Sequence, residues 1–580
     1  MMSSLAEKAW QNMGLGSSMF LAVLVFVAHF HFCYAVKAPY YSFVQESTSA
    51  PQVSFYDYII IGGGTAGCPL AATLSASANI LVLERGGSPY ANPGKSDKEN
   101  FFPNLLDHSP GSYSQTFISE DGVYNSRARV LGGGSVINAG FYSHAEADFL
   151  KQAGLNEALV NHSYQWVEKK VAFKPPLLQW QSALRNGLLE AGVLPNNGFT
   201  YDHVYGTKVG GTIFDTDGHR HTAADLLEYA NPLNIKVYLY ATVQKIISST
   251  KVFSRPRADG VIFEDAMGVR HSAFLTRDSK SEVILAAGAL GSPQILMLSG
   301  VGPAHQLEAL GIKVVMDQPL VGQGMVDNPL NVLFIPSPLP VELSLVSIVG
   351  ITRFDSYIEA CSGVSFAPTW TQRVAKELAS ILNQTEESSM SIFQEAIANS
   401  RSFLNTRIKG GIVFEKVKNP TSRGHLELRS TNPHDNPKVT FNYFQAPEDL
   451  RKCVQAMKTV INAINSEAFS NFRYKILSTE ALLNLIVRLP LNLRPKHLTS
   501  AFSLEQFCID TVMTIWHYHG GCLVGSVVDK DYKVHGVDAL RIIDGSTFTR
   551  SPGTNPQATV MMLGRYMGLR ILEERHFLKK

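Results

Sequence analysis

Tyr58-Ile59-Ile60-Ile61-Gly62-Gly63-Gly64-Thr65-Ala66-Gly67 decides the fold of this chain. Its apolar, β-branched opening reads as a buried parallel strand. The strand runs into a Gly62-x-Gly64-x-x-Gly67 turn, and Cys68 to Ala78, rich in Ala, Leu and Ser, suits a helix. A second strand, Ile80-Leu81-Val82-Leu83, ends at Glu84, twenty positions after Gly64. Each part has a chemical task. Gly62 permits the tight turn, Gly64 lets a pyrophosphate reach the backbone, and Gly67 lets helix and strand pack closely. The phosphates would rest on the positive end of the helix, and Glu84 would accept hydrogen bonds from a ribose. A glycine turn without a ligand needs none of this agreement between strand, helix and acid. The pattern serves FAD and NAD equally.

The rest of the chain sets the scale. At 580 residues it can bury a large core, and its length suggests two or more domains. Charged residues make up 17% and the net charge is +2, with no basic stripe, so nucleic acid is not an implied partner. Lys8 precedes an apolar run from Met19 to Phe32, and Cys33-Tyr34-Ala35 offers a small residue for cleavage. Residues 1–35 therefore read as a secretory signal peptide. An uncleaved membrane anchor is the rival reading, but the run is short for a bilayer, so no stable anchor is expected. Cys68, Cys361, Cys453, Cys508 and Cys522 remain, an odd number that leaves at least one free thiol. Asn161-His162-Ser163 and Asn383-Gln384-Thr385 are glycosylation sequons if the chain is secreted.

Farther along, residues 88–126 read as loop. Arg127 to Gly140 contains Gly132-Gly133-Gly134-Ser135, a second loop able to wrap a phosphate-bearing ligand or to form a plain turn. Lys236 to Tyr240 and Glu282 to Leu285 read as strands that return to the first sheet, with a helix from Gln294 to Ser299. This makes the nucleotide unit discontinuous. Pro336 to Pro340 is hinge-like, and the acidic run Leu382 to Ala398 suits a solvated helix face. Ser422 to Ser430 reads as a strand, Pro447-Glu448-Asp449-Leu450 as a helix start, and Met561 to Glu574 as the last helix. The fold class is α/β, or α+β overall.

Taken in order, these motifs resemble the glucose-methanol-choline family of FAD-dependent oxidoreductases. Arg127 to His144 is similar to its first signature and Gly288 to Gly302 to its second. Trp516-His517, Asp544-Gly545-Ser546 and Asn555-Pro556-Gln557 complete the set. The wording of the C-terminal motifs resembles the plant branch, which holds Hothead-type proteins and (R)-mandelonitrile lyases. The resemblance implies a FAD domain from residues 56–144, 236–329 and a 511–580 segment that also carries the active site. A sheet-plus-helix substrate domain would come from 145–235 and 330–510. It implies FAD contacts from Gly62, Gly64, Thr65, Ala66, Gly67, Glu84 and Arg85. Val130, Ser135, Asn138, Ala139, Gly140 and Phe141 would lie along the flavin, and Val243 would clamp the adenine. Trp516, His517, Asp544, Gly545, Pro556 and Gln557 would surround the flavin again. The disulfide of the plant lyases matches Cys453 and Cys508.

An alcohol oxidised by a flavin loses a hydride from carbon and a proton from oxygen. A neutral imidazole suits the proton. By resemblance His517 is that base and Asn555 its partner, an amide that orients the oxygen but takes no proton. His519 would share a strand face with His517, but no further ligand at metal spacing supports a metal pair, and it reads as structural. The expected function is a secreted, cell-wall or apoplastic FAD-dependent alcohol dehydrogenase or oxidase. It would act on a small-molecule alcohol, such as a long-chain ω-hydroxy fatty acid, and pass electrons to oxygen or another acceptor. The alternatives are an (R)-hydroxynitrile lyase with non-redox FAD, which in the plant lyases carries His where this chain has Asn555, and a binding protein of the cell wall. Cys361 aligns poorly with a lyase pocket cysteine and equally reads as a buried thiol.

Overall fold

The four predicted strands join two unpredicted ones, Val44–Glu46 and Leu540–Ile542, in a six-stranded parallel sheet. β1 (Val44–Glu46), β2 (Tyr58–Ile61), β3 (Ile80–Leu83), β4 (Ile235–Leu239) and β5 (Glu282–Leu285) lie in the order β1-β4-β3-β2-β5, and Leu540–Ile542 closes the far edge. Every neighbouring pair is parallel. Such strands are buried on both faces, hence their unbroken apolar runs. Ile59, Leu81 and Val283 point into one core cluster, and Ile60, Val82 and Ile284 into another. α1 (Gly67–Leu74) and the C-terminal helix Gln557–Phe577 cover the second face. A four-stranded sheet containing Val53–Tyr56, Thr242–Ser249, Arg257–Glu264 and Arg270–Leu275 contributes Val243, Val261 and Ala273 to the first. This is a computed structural model, and it describes residues 41–577 except 93, 108, 251–253, 364–372, 375, 378–379 and 381–409. The leader at 1–35, the acidic run at 382–398 and the sequon at Asn383 lie outside the described residues.

The glycine turn explains its own composition. Gly62 has a φ of 104°, and a Cβ there would stand 2.5 Å from the carbonyl oxygen of Ala286. A Cβ on Gly67 would stand 2.0 Å from the carbonyl oxygen of Gly62. No other residue permits that approach of helix to strand. α1 stops at Leu74 rather than Ala78. Ser75 Oγ donates to the carbonyl of Ala72 at 2.8 Å, the local competition by which serine ends helices.

The stretch that reads least clearly forms the second large sheet. β6 (Pro329–Pro336), β7 (Ile348–Ile351), β8 (Ser356–Ser362) and β9 (Gly410–Val417) pair antiparallel in the order β6-β9-β8-β7. Met513–Thr514 joins one edge, and Gly206–Val209 followed by Asn196–Phe199 joins the other. One face packs on the helix Gln179–Glu190 and on α2 (Pro447–Ile464), burying Trp180, Leu184, Val413 and Met457. α2 begins as its sequence predicts, with Pro447 at the first turn beside Glu448 and Asp449. The disulfide Cys453–Cys508 ties α2 to α3 (Leu504–Thr511), while Cys68, Cys361 and Cys522 are free and buried.

Several elements depart from the sequence reading. Residues 88–126 hold a short helix, Phe101–Leu106, and a hairpin arm, Ser114–Ile118, whose partner strand is Tyr124–Ala128. The cavity they line takes both polar and apolar side chains, Thr116, Asn125 and Arg127 beside Phe101, Phe117 and Tyr124, which hides the alternation. The helix expected from Gln294 starts at Gly288 and runs to Leu298 with Pro293 inside it. The strand expected over 422–430 is Gly424–Glu427. No described helix is long and apolar enough to cross a membrane.

The disulfide closes a loop with a sequence separation of 55. Replacing both Cys453 and Cys508 by Ala is expected to cost about 4 kcal/mol by chain entropy. Denaturant unfolding should show this as a lower midpoint.

Candidate active site

A cavity of about 1270 Å³ lies over the C-terminal ends of β2, β3 and β5 and reaches the open face of the antiparallel sheet. That exceeds the usual size of a single small-ligand pocket and suits a dinucleotide with a substrate beside it. One arm is built from glycine. Gly132 N–H donates to the Gly63 carbonyl at 2.7 Å, and Thr65 Oγ1 donates to the Gly132 carbonyl at 3.4 Å. A Cβ on Gly133 would stand 2.8 Å from Gly64 Cα, so the two turns meet backbone to backbone. Gly64 differs. The atoms nearest to a Cβ there stand 3.8 Å away, and the position faces the cavity. This open cradle at the start of α1 fits the phosphates of a dinucleotide.

The remaining nucleotide residues fall around the same space. Thr65, Ala66, Glu84, Arg85, Val130, Asn138, Ala139, Gly140, Phe141 and Val243 line it, as do Trp516, Asp544, Gly545, Pro556 and Gln557. Two predicted residues do not. Gly67 sits behind the turn against Gly62. Ser135 braces its loop from within, donating to the Gly132 carbonyl at 2.7 Å and accepting from Ala223 N–H at 2.9 Å. Glu84 is held by the N–H groups of Gly63 at 3.0 Å and Gly86 at 2.8 Å. Asp544 accepts from Gly288 N–H at 2.9 Å, Ser292 Oγ at 2.5 Å and Ser546 N–H at 2.8 Å, pinning the last segment to the helix after β5. Asn138 Nδ2 donates to Gln557 Oε1 at 2.8 Å, and Gln557 Nε2 donates to the Phe141 carbonyl at 2.6 Å.

At the other end stand His517 and Asn555, both on the cavity wall. His517 follows Trp516, which holds a φ of 59°, a conformation that bulky residues adopt only where neighbours impose it. Asp327 does much of the imposing. Fully buried, it accepts from Thr514 Oγ1 and Tyr443 Oη at 2.6 Å each, from Asn328 N–H at 2.9 Å and from His517 N–H at 3.2 Å. Burial raises this carboxyl to about 6 against those four donors. Nδ1 of His517 is buried without a partner, and the residue lines the cavity. Burial, and after it the Lys416 ammonium and His519, push the imidazole well below its ordinary value, so it is neutral. His519 is buried off the cavity wall, its Nδ1 3.0 Å from the His517 carbonyl. Among the described residues no group of three or more His, Cys, Asp or Glu could hold a metal ion.

Three residues here escaped the sequence reading: Asp327, Glu359 and Lys416. Glu359 lines the cavity, and Lys416 Nζ donates to Asn555 Oδ1 at 2.5 Å. For Glu359 and Lys416 the one signal was charge inside apolar strands, Tyr357-Ile358-Glu359-Ala360 and Val413-Phe414-Glu415-Lys416-Val417; Asp327 had none. Cys361 also lines the cavity, and burial raises its thiol to about 12.

The cradle yields a direct check. Gly64→Ala meets no protein atom closer than ordinary contact, so the protein should fold, with the melting temperature of its cofactor-free form little changed. The added methyl fills phosphate space, and the purified protein should lose most of its yellow colour and flavin absorbance. Retained flavin at wild-type stoichiometry would contradict this.

Comparison with known proteins agrees with this geometry. Two family profiles, both described as GMC oxidoreductase, match residues 56–330 and 420–564. Protein HOTHEAD of Arabidopsis thaliana is 53% identical over 537 residues, spanning 91% of this chain and 90% of that protein. An (R)-mandelonitrile lyase-like protein of Arabidopsis thaliana is 47% identical, spanning 92% of each. Among solved structures, the formate oxidase of Aspergillus oryzae superposes with a TM-score of 0.71 at 18% identity, covering 91% of this chain and all of that one, a likeness of fold. The chain belongs to the GMC oxidoreductase family, in the branch that contains HOTHEAD, and its cofactor is FAD.

Proposed function

We propose that the protein oxidises a primary or secondary alcohol, with His517 taking the hydroxyl proton. One observation carries this reading: a neutral imidazole with an unpartnered ring nitrogen lines the cavity that Asn555 also lines. FAD, when bound, supplies the acceptor for the two electrons of the hydride. Nε2 of His517 accepts a hydrogen bond from the alcohol and then its proton. The Asn555 amide donates to the same oxygen, holds the carbon toward the ring and stabilises developing negative charge. Gly62, Gly64, Thr65 and Ala66 hold the pyrophosphate, and Glu84 and Arg85 the adenosine ribose. Val243 clamps the adenine. Val130, Asn138, Ala139, Gly140, Phe141, Trp516, Asp544, Gly545, Pro556 and Gln557 frame the flavin.

The substrate end is apolar, with Phe117, Leu330, Val332, Phe334, Ile486 and Met513 on its walls. Those walls support a lipophilic alcohol, and the likeness to Hothead-type proteins supports a long-chain ω-hydroxy fatty acid. The disulfide belongs to an oxidising compartment, which supports secretion after cleavage of the leader. The lyase reading draws support only from the names of relatives, since Asn555 cannot exchange a proton as a histidine does.

Anaerobic mixing with a panel of alcohols tests the proposal. The flavin should bleach, and His517→Ala should slow the bleaching about 10²- to 10⁴-fold. Cyanide release from mandelonitrile with no bleaching by any alcohol would replace the oxidoreductase reading with the lyase. The pH dependence has a definite sign. The base works only when unprotonated, and its pKa is lowered, so the rate should stay level from neutral pH to below 6.5 and fall only in stronger acid. A limb at or above 6.5 would speak against His517 as the base.

A further inference from the structure

The amide of Asn555 is not free to choose its orientation. Lys416 stands behind it on β9, 1% exposed and off the cavity wall, with Nζ 2.5 Å from Asn555 Oδ1. An ammonium has donors and no acceptor, so only the oxygen of the amide can face it. The NH2 group is then the end that meets the cavity. β8 steadies the same turn a residue earlier, where Tyr357 Oη and Thr554 Oγ1 lie 3.1 Å apart. Lys416 Nζ also lies 4.2 Å from the centre of the Tyr357 ring and 3.7 Å from Oε1 of Glu359. Glu359 is fully buried and lines the cavity, and the Asn555 NH2 and the Lys416 ammonium both act to hold its charged form. Burial pulls Lys416 down to about 8 and raises Glu359, while each holds the other toward its charged form.

We infer that Lys416 is the positioning residue of the reactive pair: it fixes the flip of Asn555 so that N–H groups meet the reacting oxygen. This rests on the alcohol-oxidation reading for its chemistry but on geometry alone for the amide. The groups that face Lys416 are Glu359 and Tyr357 on β8 and His517 and Asn555 from the C-terminal segment. His517 faces Lys416 and His519, with Asp327 on its backbone N–H. A buried lysine that only filled space would not couple to Asn555 or to the titration of His517.

The test compares Lys416→Met, Lys416→Arg and Lys416→Met/Glu359→Gln, the last removing the orphaned carboxylate if the first fails to fold. Lys416→Met should lower kcat for flavin reduction about 10- to 100-fold with KM nearly unchanged, as for loss of an oriented donor. Its acid limb should move to higher pH, because a nearby positive charge is gone, and Lys416→Arg should restore both. In an Asn555→Ala background the same substitution should cost little further, since contacting residues are not additive. Calorimetric titration of the holoprotein with decanoate, which cannot be oxidised here, gives a second readout. Its oxyanion should bind about tenfold more weakly to Lys416→Met. If wild-type flavin never bleaches but decanoate binding still depends on Lys416, the function reading fails and the positioning role stands. Equal rate losses in both backgrounds, an unmoved acid limb and unchanged decanoate affinity would overturn it.

Discussion

Backbone meeting backbone is the constraint on which this structure depends. At Gly62, Gly67 and Gly133 a single methyl group would collide with main-chain atoms at 2.5, 2.0 and 2.8 Å. Main chain cannot shift as a flexible side chain can, so these positions set how close α1, β2 and the second glycine loop come. That closeness brings N–H groups and the positive end of a helix to one point, the condition for holding a pyrophosphate without a lysine or arginine. Everything else in the cavity is measured from there, because the cavity runs from that point to His517.

The reactive end follows a different logic. Its parts are polar groups withdrawn from water, and each is held by another. Asp327 gathers four donors to shape the turn before His517, and β8 and β9 reach across to the turn at Thr554 and Asn555. Such networks are expensive to bury unless satisfied, and their worth lies in geometry rather than stability. His517 and Glu359, two titratable groups withdrawn from water, both line the cavity.

How much of this was legible depends on the range of the signal. The run from Tyr58 to Glu84 was readable because propensity, turn chemistry and spacing all act within thirty residues and agree. Pro447 with Glu448 and Asp449 announced its helix for the same reason. The antiparallel sheet was not readable. β8 and β9 carry Glu359, Glu415 and Lys416 in positions that a buried strand normally reserves for apolar residues. What neutralises or anchors them comes from distant sequence, as Asn555 does for Lys416. The hairpin at Ser114–Ala128 hid because its strands face a ligand space, so polarity does not mark its outer side. Family resemblance supplied what local pattern lacked at His517 and Asn555, but it carried no hint of Asp327 or Lys416.

The strand Leu540–Ile542 has a consequence for how this protein is made. It pairs with β5, although nearly the whole polypeptide separates it from β2. A ribosome therefore finishes the sheet only at the end of translation. Until then β5 offers a bare apolar border to any other nascent strand, a standing invitation to aggregate. A premature stop codon even shortly before Leu540 would do more than remove Asn555; it would leave an unfinished sheet edge for chaperones and quality control to handle.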